Sequence, residues 1–358
     1  MKEIKLMKGN EALVEGALIA GCKYYFGYPI TPQNEVTELM SVKMVEFGGV
    51  FVQAESELAA INMVFGASAA GGRAMTTTSS PGYSLMQEGL SYLATAMLPC
   101  VIANVQRGGP GLGNIAGAQG DYFQATKGGG HGDYHIIVLA PASPQEMLDF
   151  TVLGFELSDK YRAPTLILSD GIIGQMMENV EIHLNYKPVF YPKDWALTGA
   201  IGRRKNIIRS LWLDESKMEK VNLKLQEIYK TICESEVRYE EICLDDALIV
   251  LVAYGISSRV CNSIVNELRQ KGYKVGMLRP ITLYPFPYKK LRELVDKGIR
   301  AMLTVEMSSG QMIEDVKLGV ECKIPVEFYG KLGGVLLDEN EIKDHIFALY
   351  KKYVKETE

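Results

Sequence analysis

Four polar or glycine-rich segments of the chain carry side chains that could do chemistry. They span residues 27–35, 55–57, 76–82 and 107–113. Together they contain carboxylates that could handle a proton, a fixed cation and several hydroxyls. Each segment follows an apolar run that predicts a β-strand. Because ligands bind at the carboxyl ends of strands in a parallel α/β sheet, the four segments predict one continuous site at one edge of the sheet.

Three side chains in or near these segments are open to more than one interpretation. Glu57 stands at the start of a predicted helix, where a carboxylate is favourable in any case, and the spacing does not choose between it and Glu55. Arg107 follows a strand and precedes glycines, so it suits a carboxylate or phosphate, but a surface arginine on a flexible loop would look the same. His131 could be an acid–base group or a hydrogen-bonded loop residue.

Alternating strand and helix signals in residues 1–175 must position these side chains. Apolar runs predict strands over 50–54, 73–78, 100–106, 135–140 and 164–169, and residues 23–27 lead into a loop. Helices are predicted through 35–45 and over 58–70, 82–96 and 144–158. Thr31 is a good N-cap for the first helix, with Pro32 at its first position. Repeated β–α units with continuous apolar strands indicate an α/β fold with a parallel sheet covered on both faces.

The rest of the chain predicts a connecting arm and a second, smaller α/β unit. Charge density rises after residue 176, and residues 217–240 are typical of an amphipathic helix. Strands are then predicted over 247–254, 274–278, 300–305 and 325–329, and helices over 257–271, 288–295, 310–320 and 342–353. The predicted division is therefore 1–180, 181–245 and 246–358.

Composition and missing motifs exclude several classes of protein. A net charge of −5 lacks the excess of positive charge that is typical of nucleic-acid-binding proteins. No apolar run is long enough to span a membrane and no signal peptide is evident, so we expect a cytoplasmic protein. Neither glycine-rich loop, at 108–113 or at 128–130, matches a nicotinamide or ATP signature. The six cysteines form no Cys-x-x-Cys pair, so we expect reduced core thiols and no metal site on this chain.

Taken in order, the motifs resemble the alpha subunit of 2-oxoacid:ferredoxin oxidoreductases. They are Gly-Tyr-Pro-Ile-Thr-Pro-Gln-Asn-Glu (27–35), Gln-Ala-Glu-Ser-Glu (53–57), Thr-Thr-Thr-Ser-Ser-Pro-Gly (76–82), Gln-Arg-Gly-Gly-Pro-Gly-Leu-Gly-Asn (106–114) and Lys-Gly-Gly-Gly-His-Gly-Asp-Tyr (127–134). Leu-Arg-Pro-Ile-Thr-Leu-Tyr-Pro-Phe-Pro (278–287) resembles the second domain of that subunit. Gln33 and the loop after Arg107 are similar to the branched-chain, 2-oxoisovalerate type, whereas the 2-oxoglutarate type more often has Ser-Thr-Glu after Pro-Ile-Thr-Pro.

This resemblance implies a fold, a cofactor and partners. The fold would be a pyrimidine-type domain of the thiamine diphosphate fold, followed by a domain resembling the transketolase C-terminal domain. Thiamine diphosphate would be shared with a beta subunit that supplies its diphosphate and Mg²⁺ site, and the absence of Gly-Asp-Gly here agrees with that division. The 4Fe-4S clusters would lie on partner subunits, which include gamma and ferredoxin-like delta subunits. Ferredoxin and coenzyme A would complete the reaction.

The resemblance also assigns roles to residues. Glu57, favoured over Glu55 by its distance from Gly66 and Arg107, matches the glutamate that hydrogen-bonds N1′ of the cofactor's pyrimidine ring. Thr31 and Arg107 match residues that bind the 2-oxoacid. Residues expected to hold the cofactor are Tyr28, Pro29, Ile30, Glu57, Thr78 and Ser79. The implied activity is oxidative decarboxylation of 2-oxoisovalerate to an acyl-CoA. The alternatives are a 2-oxoglutarate oxidoreductase subunit and a non-catalytic scaffold.

Overall fold

The computed structural model describes residues 2–183 and 185–354, which form three sheets and their covering helices. The strands are β1 (Lys2–Lys8), β2 (Tyr24–Gly27), β3 (Val50–Gln53), β4 (Ala74–Thr78), β5 (Cys100–Gln106), β6 (Ile137–Leu139), β7 (Pro164–Asp170), β8 (Met177–His183), β9 (Tyr239–Ile242), β10 (Ile249–Val252), β11 (Val275–Pro280), β12 (Thr282–Tyr284), β13 (Ala301–Glu306) and β14 (Val326–Gly330). The helices are α1 (Gly9–Ile19), α2 (Asn34–Glu46), α3 (Glu57–Ala69), α4 (Ser80–Leu85), α5 (Gln87–Thr95), α6 (Tyr122–Thr126), α7 (Pro144–Tyr161), α8 (Gly171–Gln175), α9 (Glu215–Ser235), α10 (Gly255–Gln270), α11 (Tyr288–Asp296), α12 (Met312–Gly319) and α13 (Glu339–Tyr353).

A seven-stranded sheet with the order β12-β6-β7-β5-β4-β2-β3 forms the larger part of the molecule. All its pairs are parallel except β12 with β6. Strands β4, β5 and β7 are buried along their whole length, as expected in the middle of a parallel sheet covered by helices. The prediction of an α/β fold with a parallel sheet is confirmed.

A five-stranded sheet with the order β14-β13-β10-β11-β9 forms the smaller α/β unit. Its strands are parallel apart from the edge strand β9. Strands β1 and β8 form a separate antiparallel pair that the sequence analysis did not predict. No helix among the described residues has the length and apolar composition needed to cross a membrane.

Two strands pair in a sheet outside their own predicted segment, and they join the three predicted segments of the chain. Strand β9 lies in the expected arm but belongs to the five-stranded sheet, and β12 lies in the expected second unit but pairs with β6 of the larger sheet. The arm is therefore more than a connection. We keep 1–180, 181–245 and 246–358 as a proposed division of the chain, with these two strands crossing it.

Two predicted helices end or break earlier than their sequences indicate. The helix predicted over 82–96 is interrupted at Met86, where the side-chain amide of Gln87 donates to Tyr83 O at 2.9 Å and competes for that helical acceptor. The helix predicted to reach Glu240 ends at Ser235. Just beyond it the carboxylate of Glu236 is held by Lys160 and Arg238, which turns the chain toward β9.

The cysteines follow the prediction only in part. Cys22, Cys100 and Cys261 are free and buried, as expected for core thiols. Cys233, Cys243 and Cys322 are free but exposed, because they lie on a solvent-facing helix side and in turns rather than in strands. A scattered pattern of this kind reflects local packing and not a shared site.

Candidate functional site

The four predicted segments meet at one edge of the seven-stranded sheet. They follow β2, β3, β4 and β5, which are neighbours in the order β5-β4-β2-β3 and run parallel. Parallel neighbours present their carboxyl ends at the same edge, so the loops after them are adjacent. This order along the edge places the carboxylate-bearing segment at one side and the arginine-bearing loop at the other.

The Glu57 carboxylate is buried at the first turn of α3, whereas Glu55 is exposed. Ser56 caps this helix by accepting a hydrogen bond from Ala59 N at 3.2 Å, which fixes where the helix begins. Glu57 is only 4% exposed, and among the described residues its carboxylate has neither a hydrogen bond nor an ion pair. A buried carboxylate without a partner is costly, so this position favours a ligand that supplies one.

Gly82 lies against the side chains of Glu57 and Thr78. A Cβ atom added at Gly82 would overlap both the Thr78 hydroxyl oxygen and a Glu57 carboxylate oxygen, so only glycine fits there. Thr78 and the adjacent Ser79 are fully buried, and the Ser79 hydroxyl has no hydrogen-bond partner in the described part of the chain. Three of the predicted cofactor-binding residues are therefore gathered at the end of β4, with unused polar atoms among them.

The Arg107 guanidinium is held by backbone carbonyls and has no acidic partner among the described residues. It donates to Thr31 O at 3.0 Å and to Leu112 O at 2.9 Å, and its Nε is buried with no partner within residues 2–183 and 185–354. The bond to Thr31 brings both predicted substrate residues together. Arg107 also lines a cavity of about 550 Å³ between the 107–121 loop and the smaller unit. A fixed, uncompensated cation at a cavity favours an anionic ligand.

The turn after β2 contains Tyr28, Pro29, Ile30 and Thr31. Pro29, Ile30 and Thr31 line a second cavity of about 450 Å³, and Tyr28 is 37% exposed. The prediction that Thr31 caps α2 is wrong, because the helix begins at Asn34. The Thr31 hydroxyl accepts a hydrogen bond from the Asn34 side-chain amide at 3.2 Å instead of from a backbone N–H. Thr31 therefore lies in the turn itself, close to Arg107.

Two polar groups at this edge were missed as site components. Gln33, which is similar to the branched-chain type, is fully buried and accepts a hydrogen bond from Thr77 Oγ1 at 2.6 Å. Thr77 is also 2.6 Å from the hydroxyl of Tyr25, whose pKa burial raises to about 12. These contacts tie the turn before α2 to strands β2 and β4. The only sequence signal was the polarity of residues inside otherwise apolar strands.

Asp121 is the second missed group and lines the same cavity as Arg107. Its carboxylate accepts hydrogen bonds from Ser80 Oγ at 2.6 Å and Asn104 Nδ2 at 2.8 Å. Burial raises the pKa of this carboxyl above its usual range. Ser80 Oγ also accepts from Arg107 N at 3.0 Å, so Asp121 is linked to the arginine segment. A Gly-Asp-Tyr tripeptide that recurs at 120–122 and 132–134 was the available signal.

Other sequence candidates lie apart from this edge. His131 is exposed and lines none of the cavities described here. A larger cavity of about 670 Å³ lies beside residues 283–293 and contains none of the predicted site residues, so volume alone does not identify the site. Within the part of the chain that the structure describes, no three His, Cys, Asp or Glu side chains cluster to hold a metal ion.

Two family models match the chain. One, described as "Pyruvate flavodoxin/ferredoxin oxidoreductase, thiamine diP-bdg", matches residues 15–197. The other, "Pyruvate:ferredoxin oxidoreductase core domain II", matches residues 247–342. The smaller α/β unit thus has a counterpart in the same family as the larger one.

Among solved structures, a 2-oxoglutarate:ferredoxin oxidoreductase from Magnetococcus marinus superposes with a TM-score of 0.89 at 26% identity. The match covers 97% of this chain, which spans 65% of the length of that one. A split-gene transketolase superposes with a TM-score of 0.60 at 14% identity, a likeness of fold alone. Both likenesses agree with the predicted thiamine diphosphate fold and transketolase-like second domain, and the fold class is confirmed.

Curated relatives cover nearly the whole chain. The ketoisovalerate oxidoreductase subunit VorB of Methanothermobacter thermautotrophicus is 52% identical over 96% of this chain and 97% of its own length. The 2-oxoglutarate synthase subunit KorA of Methanocaldococcus jannaschii is 37% identical over 95% of this chain and 98% of its own length. Both relatives are named as subunits, which implies partner subunits. The chain therefore belongs to the 2-oxoacid:ferredoxin oxidoreductase family, whose thiamine diphosphate-binding model it matches.

Proposed function

We propose that this chain is the alpha subunit of a 2-oxoisovalerate (3-methyl-2-oxobutanoate):ferredoxin oxidoreductase. The reaction joins 3-methyl-2-oxobutanoate to coenzyme A, with loss of CO₂ and transfer of two electrons to two oxidised ferredoxins. The products are isobutyryl-CoA, CO₂, two reduced ferredoxins and a proton. The observation that carries the proposal is the buried Glu57 carboxylate, which has no partner among the described residues, at the same sheet edge as the Arg107 guanidinium, which has no acidic partner there either. The choice of substrate draws on the 52% identity to a ketoisovalerate oxidoreductase subunit.

The residues at the ends of β2, β3 and β4 fit the pyrimidine end of thiamine diphosphate. We propose that Tyr28, Pro29 and Ile30 contact the ring, and that the hydroxyls of Thr78 and Ser79 lie beside it. The unpartnered Ser79 hydroxyl and the unpartnered Glu57 carboxylate support this fit. When bound, thiamine diphosphate supplies the carbon nucleophile that attacks the 2-oxo group. Glu57 holds a proton at N1′ of the pyrimidine. This is general acid–base assistance from a carboxylate that is buried away from water.

Arg107 and Thr31 would hold the carboxylate of the 2-oxoacid. Backbone carbonyls fix the guanidinium before a substrate arrives, so little ordering remains to be done on binding. The Thr31 hydroxyl lies in the turn whose carbonyl contacts Arg107, and it can donate a second hydrogen bond to the same carboxylate. These residues position the substrate and exclude water, while Glu57 handles the proton.

We also propose the composition of the complex. A beta subunit would supply the diphosphate and Mg²⁺ site. Gamma and ferredoxin-like delta subunits would complete the assembly, with 4Fe-4S clusters on the partner subunits and ferredoxin as the electron acceptor. Exposed hydrophobic side chains support a partner at this face: Leu58 and Met63 in α3, the helix that Glu57 begins, and Tyr28 in the turn after β2. We place the complex in the cytoplasm.

The alternative substrate is 2-oxoglutarate, which the named activity of the KorA relative suggests. Its distal carboxylate needs a second cation in the substrate pocket. Among the described residues that line the two cavities at this edge, Arg107 is the only lysine or arginine. This charge count favours a substrate with an apolar branched side chain.

The test is reduction of viologen or ferredoxin by the co-expressed complex under anaerobic conditions. Coenzyme A and thiamine diphosphate are supplied, and 2-oxoisovalerate, 2-oxoglutarate and pyruvate are compared by kcat/KM. We expect a clear preference for 2-oxoisovalerate. A preference for 2-oxoglutarate would reject the substrate and keep the chemistry. No turnover with any 2-oxoacid, from a complex with intact clusters, would favour the non-catalytic scaffold.

Gly82→Ala is expected to lower activity sharply in this assay. The added Cβ would overlap the Glu57 carboxylate and the Thr78 hydroxyl, and strand β4 leaves little room for them to move. Displacing a catalytic group by about 1 Å can cost on the order of 10²-fold in rate. The measurement is kcat with 2-oxoisovalerate.

Gly66→Ala is the matched control, because a Cβ at this glycine in α3 would meet no atom of the described residues within 4 Å. We expect its melting temperature to be equal to or above that of the parent, since alanine favours a helix interior. If Gly82→Ala keeps full activity, the packing assigned to Glu57 at the end of β4 is wrong.

A further inference from the structure

The 107–121 loop, which carries Arg107, has little packing of its own. Residues 109–116 are all exposed, including Leu112 at 78% and Ile115 at 65%. Within the loop, Gly108 N donates to Ala116 O and Asn114 N donates to Gly108 O, each at 2.8 Å. These bonds define the shape of the loop but do not fix it to the body of the protein. Its position must therefore come from contacts with other parts of the protein.

The C-terminal end of the loop is anchored to the smaller α/β unit, which comprises β9–β11, β13, β14 and α10–α13. Gln119 N donates to Met307 O at 2.9 Å. Just beyond, the Gln311 side-chain amide donates to Gly120 O at 2.7 Å. Near the tip, Asn114 Nδ2 donates to Gly333 O at 2.8 Å. The smaller unit, which carries none of the proposed catalytic residues, thus contacts the loop at several points.

Gln119 makes the densest set of these contacts and is fully buried. Its Oε1 accepts hydrogen bonds from Ser257 Oγ at 2.6 Å and Met307 N at 3.0 Å. Its Nε2 donates to Tyr254 O at 2.8 Å. One side chain therefore joins the end of β10, the start of α10 and the end of β13. A buried amide satisfied on both sides holds its position strongly, because breaking any bond leaves a buried polar group unpaired.

Gln119 and Arg107 are connected by a short stretch of backbone. Gly117 forms an isolated antiparallel bridge with Arg107, two residues before Gln119. A Cβ at Gly255, whose φ is +55°, would lie 2.9 Å from Gln119 Nε2, so the backbone of the smaller unit approaches the amide closely. A shift of Gln119 is therefore transmitted to Arg107 through Ala118 and Gly117, the residue that is paired with Arg107.

We propose that Gln119 is the positioning residue for the Arg107 guanidinium, and that the smaller α/β unit uses it to hold the substrate-binding loop in place. The proposal rests on the proposed role of Arg107 in binding the 2-oxoacid carboxylate. It gives the smaller unit a function in substrate affinity. Gln119 contacts neither substrate nor cofactor in this account and acts only through the loop.

The test is Gln119→Met in the co-expressed complex, since methionine has similar length and no strong hydrogen-bonding group. We expect the KM for 2-oxoisovalerate to rise about tenfold while kcat stays within about twofold, because Glu57 is untouched and only binding of the carboxylate is weakened. Gln145→Met is the matched control: Gln145 bonds to Glu181 and Asp149, away from the loop, and neither constant should change.

Amide hydrogen exchange supplies a readout that needs no turnover. In Gln119→Met, we expect faster exchange across 108–118 and unchanged exchange across 58–69. If the parent complex fails to turn over any 2-oxoacid, the proposed function fails, and exchange alone decides whether Gln119 holds the loop. An unchanged KM with unchanged exchange in the loop would overturn the positioning role, as would a fall in kcat at constant KM.

Asn114→Ala is a second variant for the case in which Gln119→Met does not fold. Asn114 is exposed, so its replacement carries little risk to the core, and it removes the bond to Gly333 O. We expect a rise in KM of about threefold at unchanged kcat, in the same direction as Gln119→Met and smaller, because the other anchors remain. A folded complex of this variant with parental KM and parental loop exchange contradicts the proposal.

Discussion

Glu57→Gln is expected to abolish 2-oxoacid-dependent ferredoxin reduction while leaving the fold and the assembly of the complex intact. Glutamine keeps the size of the side chain but cannot share a proton with N1′ of the cofactor. Loss of general acid–base assistance costs about 10²–10⁴-fold in rate. Folding should not suffer, because within the described residues the Glu57 carboxylate makes no hydrogen bond or ion pair that the substitution would break. The measurement is kcat in the anaerobic assay, with thiamine diphosphate content determined on the purified complex.

Glu55→Gln is the matched control for this experiment. It removes a carboxylate two residues away, on the same segment, but from an exposed position. We expect parental kcat and KM for this variant. Full activity in Glu57→Gln, or an equal loss in both variants, would remove Glu57 from the proton-handling role. Retained cofactor in an inactive Glu57→Gln complex would separate chemistry from binding.

Arg107→Ala is expected to raise the KM for 2-oxoisovalerate by about 10–100-fold. Hydrogen bonds to charged groups contribute about 1.5–3 kcal/mol, and each 1.4 kcal/mol corresponds to a factor of ten. The effect falls mainly on KM, because the guanidinium binds the substrate carboxylate before and during the reaction. Arg107→Lys keeps the charge but loses the planar fork, so we expect an intermediate KM.

Arg204→Ala is the control, since Arg204 is an exposed arginine in the arm, far along the chain from the proposed site. Its KM should equal that of the parent. An Arg107→Ala complex with unchanged kcat/KM would show that the substrate carboxylate binds elsewhere. A matching loss of thiamine diphosphate in Arg107→Ala would instead indicate that the loop acts on the cofactor.

Local patterns in the sequence determined the class of fold and most of its elements. Strand β5 was predicted with its observed bounds, because a short, mostly apolar run between Pro99 and the glycines after Arg107 is typical of a buried strand. The motifs after β2, β3, β4 and β5 marked the edge that carries the site, and their order was specific enough to indicate the family. These features depend on residues that are neighbours in the chain.

The sequence could not predict contacts whose partners are far apart in the chain. The capping role assigned to Thr31 was reasonable from propensity, but the turn that places Thr31 O beside Arg107 begins the helix at Asn34. Strand β12 follows β11 directly and yet pairs with β6 in the other sheet. Pairing of this kind is decided by long-range packing, which overrides local preference.

The choice between Glu55 and Glu57 shows most directly what the sequence determines and what the tertiary structure decides. By sequence the two carboxylates differ only in spacing, and the resemblance to the family favoured Glu57. The tertiary structure exposes Glu55 and buries Glu57 against Thr78 of β4 and Gly82 of α4. The sequence by itself determined the elements and the chemical groups at one sheet edge. Only the tertiary structure decided which groups lose water. The role of Gln119 could not be predicted from the sequence, because its burial depends on residues that are distant in the chain.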